Sequence, residues 1–473
     1  MELTVPLAAS RAARHGDVAE TATFWVFALG LAWVPFWYGS NDQLAWGINA
    51  ALFPGLAALY ELSLLLRRRA HPVGARALAL PAGLFAVIVL WAMLQTVTWV
   101  PLVVVNPIWA MAADALGTPV SGSISVDRDL TDLALLRLLT AASVFWLAVQ
   151  LCREGARAVR LVGAIAVFAT AYAAYGLIVL KTGSLPLLDM PASDGRVSST
   201  FINRNSFATY AGMGLIAISG LTFSFYRDGI IRDGSWRLRL VSFIDRTGQR
   251  GAVLLAGGFV ILVALLLTGS RGAVISTGIG LFALGVLILG NSRKRDDYPS
   301  GAVILVFILA VATLIVFGGT LSDNLDERGL SDPSRMSVYL LTLRSIFNAP
   351  LVGFGYGTFP DVFPMYRDRS IPVDGIWEQA HDTYLEVFQG LGLVFGALLI
   401  GVVVLLVIRC VKGAVRRQQT AIVPQIAASA ACLVGVHALV DFSLQMQAVA
   451  VTFMAILGAG VAQAESSRRS LED

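Results

Sequence analysis

The sequence predicts an all-α integral membrane protein with about twelve transmembrane helices. Hydrophobic residues make up 56% of the 473 positions, charged residues only 14%, and the mean hydropathy is +0.73. A soluble chain would have about 25% charged residues. Apolar runs of roughly 20 residues recur, and each is long enough to cross the hydrocarbon core. The pI of about 9.0 is explained by basic loops that face anionic lipid and does not indicate a nucleic-acid partner.

The apolar runs are separated by stretches rich in charge, glycine and proline. In chain order the predicted spans are residues 21–39, 43–66, 76–100, 131–152, 157–181, 204–226, 251–268, 272–290, 301–320, 384–408, 423–441 and 447–464. The chain is accordingly divided into four parts. They are a cytoplasmic N-terminus (1–20), N-terminal helices (21–189), a region with a long outer loop (190–464, loop 321–383) and a cytoplasmic tail (465–473).

Basic residues between the spans test their number and order. With the N-terminus in the cytoplasm, 24 of the 35 Lys and Arg lie on the inner side and ten on the outer side. Every inner connection is basic, namely residues 67–69, 153–160, 227–250, 293–295 and 409–417. This agreement with the positive-inside rule predicts that both ends of the chain are cytoplasmic. Residues 1–20 lack the apolar stretch of a cleavable signal peptide, so none is expected.

The outer loop 321–383 carries two features of its own. Residues 334–348 have apolar side chains at helical spacing, namely Met336, Leu340, Leu343 and Phe347. This pattern predicts an amphipathic helix that rests on the membrane surface. Residues 350–359, PLVGFGYGTF, space their glycines for a tight turn. Because the spacing and context of a dinucleotide site are missing, we interpret this turn as structural.

Four arginines lie in or beside segments that the predicted topology places on the outer side. They are Arg196, Arg204, Arg271 and Arg335. Arginine stays charged at any biological pH and binds phosphate oxygens bidentately. Arg271 occupies a minimal hairpin, 268–273, whose small neighbours leave room and backbone N–H groups for an anion. Snorkelling to lipid headgroups would explain any one of these residues, but together they predict a site for a lipid-linked, phosphate-bearing substrate.

His381 lies at the outer mouth of the tenth predicted span. The neighbouring carboxylates Glu378 and Asp382 can orient its imidazole or raise its basicity, which indicates a general base. The alternative is a histidine held only by local polar groups at a helix start. A second pair, His437 and Asp441, lies one turn apart near the outer end of the eleventh span and is interpreted as a structural hydrogen bond. No outer cluster has metal-ligand spacing, so neither a metal nor a cofactor is predicted.

Four segments resemble, in the same order, motifs of the O-antigen ligase and polymerase superfamily. They are residues 195–208, 268–272, 350–355 and 381–385. The twelve-span layout with a large outer loop before the tenth span is also similar. The resemblance covers roughly residues 190–460. The earlier spans are similar to the family only in their general apolar character.

The resemblance implies an activity and a set of site residues. Members of the superfamily are inverting, metal-independent, GT-C-like glycosyltransferases on the periplasmic face of the bacterial inner membrane. They transfer a glycan from undecaprenyl diphosphate to an acceptor sugar, either on a lipid A core or on a growing glycan. By position, Arg196 and Arg271 match the diphosphate-binding arginines, and His381 matches the histidine that activates the acceptor hydroxyl. Neighbouring polar residues are expected to bind the substrate: Asn203, Arg204, Asn205, Arg335, Glu378 and Asp382.

The chain departs from the family pattern at two positions after His381. Asp382 stands where Asn, Ser or Gln is usual, and Phe395 stands where Gly, Thr or Tyr is usual. Gly392 keeps the family spacing. These departures leave open whether the chain resembles the ligases or the polymerases, and therefore which acceptor it uses.

The main alternative is a transporter or flippase for a lipid-linked oligosaccharide or polysaccharide, because twelve spans are common among transporters. Coupled transporters place ionisable residues near the membrane midplane, and here the only candidate is Arg137, about two turns inside the fourth predicted span. The inner loop after the second span lacks the motif of the major-facilitator proteins. A third possibility, a non-catalytic scaffold for export, would leave the outer arginines without a purpose.

Overall fold

The computed structural model describes residues 7–183, 195–227, 236–292, 333–371, 377–416 and 421–464, and all regular secondary structure in these ranges is helical. The helices are α1 (Leu7–Trp33), α2 (Gln43–Leu66), α3 (Ala79–Thr96), α4 (Ile108–Leu116), α5 (Arg128–Leu151), α6 (Gly155–Thr182), α7 (Arg204–Arg227), α8 (Trp236–Leu267), α9 (Arg271–Ser292), α10 (Pro333–Asn348), α11 (Phe359–Tyr366), α12 (Thr383–Arg416), α13 (Ile422–His437) and α14 (Gln447–Ala464). Short 3₁₀ turns lie at Ala75–Leu78, Leu102–Val104 and Ser443–Gln445.

Nine helices of the described ranges are long and apolar enough to cross a membrane. Two shorter apolar helices, Val18–Trp33 within α1 and Ile422–His437, correspond to the first and eleventh predicted spans. The ninth predicted span, 301–320, lies outside the described residues. The predicted class, an all-helical polytopic membrane protein, is confirmed, whereas the number twelve stays a prediction.

The first predicted span, 21–39, is wrong at its C-terminal end. Helix α1 ends at Trp33, because the proline at position 35 disfavours helical backbone at the residue before it. The chain then turns sharply, with positive φ angles of 52° at Tyr38 and 54° at Ser40. A Cβ added at Gly39 would lie only 2.5 Å from the Phe201 ring. The turn after α1 therefore packs directly against the segment that precedes α7.

Helices α7 and α14 form the centre of the bundle. Their apolar stretches are 89% and 83% buried, compared with 17% for α2. A Cβ at Gly212 of α7 would lie 2.4 Å from the Thr277 hydroxyl, and one at Gly460 of α14 would lie 2.3 Å from Ala427. Small residues let membrane helices approach closely. The two central helices therefore have neighbours on nearly all sides, while α2 has most of its surface available to lipid.

Segments that were predicted to lie on the inner side meet at one end of the bundle. The Gln150 side chain exchanges two hydrogen bonds with the backbone of Val73, at 3.0 and 3.1 Å. Gln463, near the end of α14, donates to the Cys152 C=O at 2.6 Å. The loop after α2, the turn between α5 and α6 and the end of α14 are thus neighbours.

Segments that were predicted to lie on the outer side meet at the opposite end, where Gln95 holds the glycine-rich turn. Its Nε2 donates to the C=O groups of Val352 and Gly390, both at 2.8 Å, and its Oε1 accepts from the Tyr356 N–H at 3.1 Å. Gln95 is fully buried, so these three bonds satisfy its amide inside the protein. Residues 350–359 include this turn and the start of α11, which agrees with the structural interpretation of the glycines.

Helix α10 confirms the predicted helix in the outer loop and has two apolar faces. Val338, Leu341 and Ile346 are buried against the rest of the protein. The predicted row is exposed instead, with Met336 at 53%, Leu340 at 60%, Leu343 at 37% and Phe347 at 70%. An apolar row of this size at the outer end favours contact with the membrane surface, which stays a prediction.

The two ends of the bundle should react differently with an impermeant thiol reagent in intact cells. Ser370 and Ala156 are both exposed and lie at opposite ends. We expect Ser370→Cys to be labelled without permeabilisation and Ala156→Cys only after it. The unchanged protein, whose exposed cysteine is Cys432, gives the background. Labelling of Ala156→Cys in intact cells would overturn the predicted orientation.

Candidate active site

Arg196 and Arg204 converge on the turn between α8 and α9. The Arg204 guanidinium donates to the Thr268 C=O at 3.2 Å. A Cβ added at Gly269 would lie 3.2 Å from Nη1 of Arg204 and 3.4 Å from Nη1 of Arg196. A side chain at this position would therefore press on both guanidinium groups. Glycine leaves room beside them for an anion.

Arg271 is the first residue of α9, two positions after that glycine. The Ser270 N–H donates to the Thr268 hydroxyl at 3.1 Å and closes the turn. The following residue, Gly272, packs on His437, because an added Cβ would lie 3.3 Å from the imidazole Nε2. A helix N-terminus carries a partial positive charge. The start of α9 adds this charge to that of the arginines.

The fourth arginine reaches the same end of the bundle from α10. Nη1 of Arg335 donates to the Val440 C=O at 3.3 Å. A Cβ at Gly272 would lie 3.1 Å from the side chain of the same valine. Arg335 and the start of α9 therefore both contact residue 440. Three separate segments of the chain contribute the four arginines that the sequence singled out.

His381 lies in a turn whose conformation is strained. Its φ angle is +57°, in the left-handed region where a residue with a side chain costs about 1–2 kcal/mol. The rings of Trp377 and Phe442 contact the imidazole edge-on, with centroids 5.6 and 4.8 Å away. The Tyr339 hydroxyl of α10 donates to the His381 C=O at 3.0 Å. The backbone conformation and the two rings together set the direction of the imidazole. The side chain of Glu378, a predicted neighbour of the histidine, is exposed.

Asp441 connects the histidine turn to the arginine segment. Its Oδ2 accepts from the Asn205 side-chain amide at 2.7 Å, and its C=O accepts from the Thr383 hydroxyl at 3.2 Å. Asn205 follows Arg204, and Thr383 lies two residues after His381. Because Asp441 is only 1% exposed, water weakens these bonds little. The segments that carry His381 and Arg204 are thereby held together.

Two predicted substrate-binding residues cap helices. Oδ1 of Asn203 accepts from the Asn205 N–H at 2.7 Å at the start of α7. Oδ1 of Asp382 accepts from the Leu385 N–H at 3.0 Å at the start of α12. Burial raises the pKa of Asp382, and hydrogen bonds from the Leu385 and Tyr384 N–H groups partly oppose this. Since Asn, Ser and Asp are all good N-caps, the departure at Asp382 preserves a structural role.

A buried polar chain behind the histidine turn was not predicted from the sequence. Oε1 of Glu386 accepts from the Ala380 N–H at 2.6 Å, and Oε2 accepts from Gln445 Nε2 at 2.8 Å. The Gln445 C=O in turn accepts from the Arg137 guanidinium. These contacts hold the N–H of Ala380, the residue before the histidine. Arg137, inside the fourth predicted span, was a sequence signal for this polar chain, but that signal did not identify its partners.

His437 and Asp441 are joined through Ser443. The Ser443 hydroxyl donates to Asp441 Oδ1 at 2.7 Å and lies 3.3 Å from His437 Nδ1. The same ring nitrogen lies 2.7 Å from the Thr209 hydroxyl. All four side chains are at most 3% exposed. The structural contact predicted for the pair is therefore indirect, and it contributes to the support of the site.

The positive charge of this site comes from side chains and from the start of α9. Within the described ranges, no group of three or more His, Cys, Asp or Glu side chains is arranged to hold a metal ion. Arginine matches the geometry of phosphate oxygens with paired N–H donors. For the part of the chain that the structure describes, a phosphate-bearing ligand is the best match to the site.

The fold and the site together define a polytopic membrane protein with a cationic, histidine-containing site at one end of its helical bundle. Residues 256–400 match the family model described as O-antigen ligase. This match confirms the resemblance to the O-antigen ligase and polymerase superfamily. The matched region contains Arg271 and His381, whereas Arg196 and Arg204 lie before it. No curated protein matches the chain in sequence.

Substitution of Asp382 should separate its capping role from its charge. Asp382→Ala loses the cap, which costs about 1 kcal/mol, so its unfolding temperature in detergent should fall below that of Asp382→Asn. The raised pKa of Asp382 means that ionisation at neutral pH opposes folding. Asp382→Asn should therefore be at least as stable as the unchanged protein, by a margin that is lost as the pH falls through that raised pKa. Equal unfolding temperatures for the two variants would contradict the capping role.

Proposed function

We propose that this protein is an inverting, metal-independent glycosyltransferase of the O-antigen ligase or polymerase type. It transfers a glycan from an undecaprenyl-diphosphate-linked donor to an acceptor sugar at the periplasmic face of the bacterial inner membrane. The observation that carries the proposal is the joining of the His381 turn to the Arg204 segment through Asp441. The His381 turn and the neighbouring Arg271 turn both belong to the region that matches the O-antigen ligase family.

The arginines are proposed to bind the diphosphate of the donor. The guanidinium groups of Arg196 and Arg204 adjoin Gly269, and Arg271 follows at the N-terminus of α9. Guanidinium forks and a helix N-terminus are both favourable for phosphate oxygens. The negative charge on the diphosphate grows as it leaves, so contacts that strengthen at that moment accelerate the reaction. This arrangement can stabilise the leaving group without a metal ion.

His381 is proposed to be the general base. The acceptor hydroxyl oxygen attacks the anomeric carbon of the donor sugar, and the imidazole takes the hydroxyl proton. The bond between the anomeric carbon and the diphosphate oxygen breaks, and its electron pair leaves with the diphosphate. Attack from the side opposite the leaving group inverts the configuration. The site therefore needs the base and the arginines on opposite sides of the sugar, which two segments joined through one residue can provide.

Glu386 acts in this proposal as a positioning residue. Its carboxylate accepts from the N–H of Ala380, the residue before His381, and reaches Arg137 through Gln445. Arg137 also lies 4.4 Å over the Trp46 ring. Arg137 is the ionisable residue that a transporter mechanism would have used, and here it helps to support the histidine turn. This observation favours glycan transfer over the transporter alternative.

Two acceptors fit the proposal, a lipid A core and a growing glycan, because the donor chemistry is the same. A deletion strain tests the function and separates the two. Loss of lipid A-attached polysaccharide, with free polysaccharide retained, would indicate a ligase. Shortened chains would indicate a polymerase. Unchanged polysaccharide in the deletion strain would contradict both.

Arg196→Ala and Arg271→Ala should reduce glycan transfer by a factor on the order of 10²–10³, because each removes charge from the departing diphosphate. Arg→Lys at these positions should restore little, since an ammonium group cannot reproduce the guanidinium fork. Transfer is measured with purified protein and lipid-linked donor, in the presence of EDTA. Arg344→Ala, at an exposed position of α10, is the matched control and should keep normal activity. Near-normal activity in the lysine variants would show that the arginines only anchor headgroups.

His381→Ala should abolish turnover but leave donor binding largely intact, whereas the arginine variants weaken donor binding. Glu386→Ala should lower kcat more than it raises KM, because it releases the histidine turn and leaves the Ala380 N–H and the Gln445 amide without their acceptor. The double variant Glu386→Gln with Gln445→Glu restores one amide–carboxylate contact with the groups exchanged, and should recover part of kcat. Wild-type turnover in His381→Ala would refute the proposed base.

A further inference from the structure

A second histidine, His437, lies beside the arginine turn and has no part in the mechanism above. It is the last residue of α13 and is 2% exposed. After it the chain turns back, with the Val440 N–H donating to the His437 C=O at 3.0 Å. This turn brings the Ser443 hydroxyl to 3.3 Å from Nδ1 of the imidazole. One edge of the ring is therefore held by the segment that follows it.

The two nitrogens of the His437 imidazole have different surroundings. Nδ1 lies 2.7 Å from the Thr209 hydroxyl, in addition to its contact with Ser443. Nε2 has no hydrogen-bond partner in the ranges that the structure describes. Polar side-chain atoms of buried residues nearly always have a partner. The unused nitrogen therefore indicates a ligand.

Nε2 faces the start of α9. A Cβ added at Gly272 would lie 3.3 Å from both Nε2 and Cδ2 of His437. Gly272 is the second residue of α9 and follows Arg271, and both are partly exposed. Because the backbone there is helical, the glycine contributes room and not conformational freedom. A ligand at the arginine turn can thus reach this edge of the imidazole.

The groups behind the ring determine which nitrogen carries the proton. Asp441 accepts at both oxygens, from the Asn205 amide and from the Ser443 hydroxyl, each at 2.7 Å. With its proton used in this way, Ser443 Oγ accepts from the Thr209 hydroxyl at 3.1 Å. Nδ1 of His437 then donates to Thr209. Only the Nδ1–H tautomer places a proton in each of these contacts, so Nε2 of the neutral ring is an acceptor.

An acceptor at this place distinguishes between the parts of the donor. Diphosphate oxygens only accept, so they do not pair with the Nε2 lone pair, and the polyprenyl chain has no hydrogen-bond donor. The sugar on the other side of the diphosphate has hydroxyls. A hydroxyl can donate to Nε2 while its oxygen accepts from a neighbouring N–H group.

We propose that Nε2 of His437 accepts a hydrogen bond from a hydroxyl of the sugar that is directly linked to the diphosphate. His437 is then a specificity-determining residue for the first sugar of the donor, held in its tautomer by the hydroxyls that lead to Asp441. This inference rests on the proposed function, because that function places the diphosphate beside Arg271.

Two substitutions separate the nitrogens of His437. His437→Asn keeps an amide near the position of Nδ1 and has no atom at Nε2, whereas His437→Gln places its amide near Nε2 and loses the Thr209 contact. We expect His437→Asn to bind the glycan-bearing donor about tenfold more weakly at a nearly unchanged unfolding temperature in detergent. His437→Gln should unfold at a lower temperature but bind that donor more tightly than His437→Asn. If His437→Asn surpassed His437→Gln in both properties, the histidine would be only structural and the proposal overturned.

Two lipids identify the group that Nε2 contacts. The purified full chain is titrated with the lipid-linked glycan extracted from the deletion strain and with undecaprenyl diphosphate that carries no sugar. His437→Asn should bind the sugar-free lipid within about twofold of the unchanged protein, because the lost contact is to the sugar. Equal weakening for both lipids would overturn the proposal, since Nε2 would then bind the diphosphate. If the unchanged protein bound neither lipid, the proposed function would fail as well.

Gly272→Ala tests the same contact from α9. Its methyl group lies 3.3 Å from Nε2 and narrows the space for a hydroxyl. The variant should therefore weaken binding of the glycan-bearing lipid more than that of the sugar-free lipid. Gly278→Ala is the matched control, because a Cβ there meets nothing within 4 Å, and it should leave both affinities unchanged. An equal loss in Gly278→Ala would contradict the proposed contact.

Discussion

The hydrogen bond between Asn205 and the buried carboxylate of Asp441 is the contact on which the site depends. Burying a carboxylate costs several kcal/mol unless charged hydrogen bonds compensate, and here Asn205 and Ser443 both donate at 2.7 Å. Once Asp441 is held, its C=O accepts from Thr383. The start of α7, the connection between α13 and α14 and the start of α12 are then fixed relative to one another. Arg204 lies at the start of α7, and His381 lies just before α12.

Gly392, which keeps the family spacing, and Phe395, which departs from the family pattern, have different physical explanations. Gly392 has a φ angle of 80°, and an added Cβ would lie 2.3 Å from the Leu351 C=O, so a larger residue would displace the turn that packs there. Phe395 departs from the family pattern but stacks on Trp91, with ring centroids 4.4 Å apart and planes within 6° of each other. Trp91 also donates to the Leu391 C=O at 3.0 Å. Phe395 therefore has a stacking partner, Trp91, on α3.

The two ends of the bundle use arginine in different ways. At one end Arg196, Arg204 and the start of α9 lie around the turn at Gly269. At the other end Arg67 and Arg69 line a cavity at the end of α2. A guanidinium group is compatible with both, because it stays charged at low dielectric and donates in a planar fork.

The membrane class, the division of the connections between two ends and the residues of the candidate site were all accessible from the chain alone. Hydrocarbon thickness and loop charge act on each short stretch independently, and the motif arginines and histidine are local in sequence. The partners of those residues were not accessible. Asn205 and Asp441 are 236 positions apart, and Gln445 lies 59 positions from Glu386, so only helix packing could bring them together. The strained backbone of His381 and the place of Arg137 likewise depend on contacts between distant segments, which no local pattern encodes.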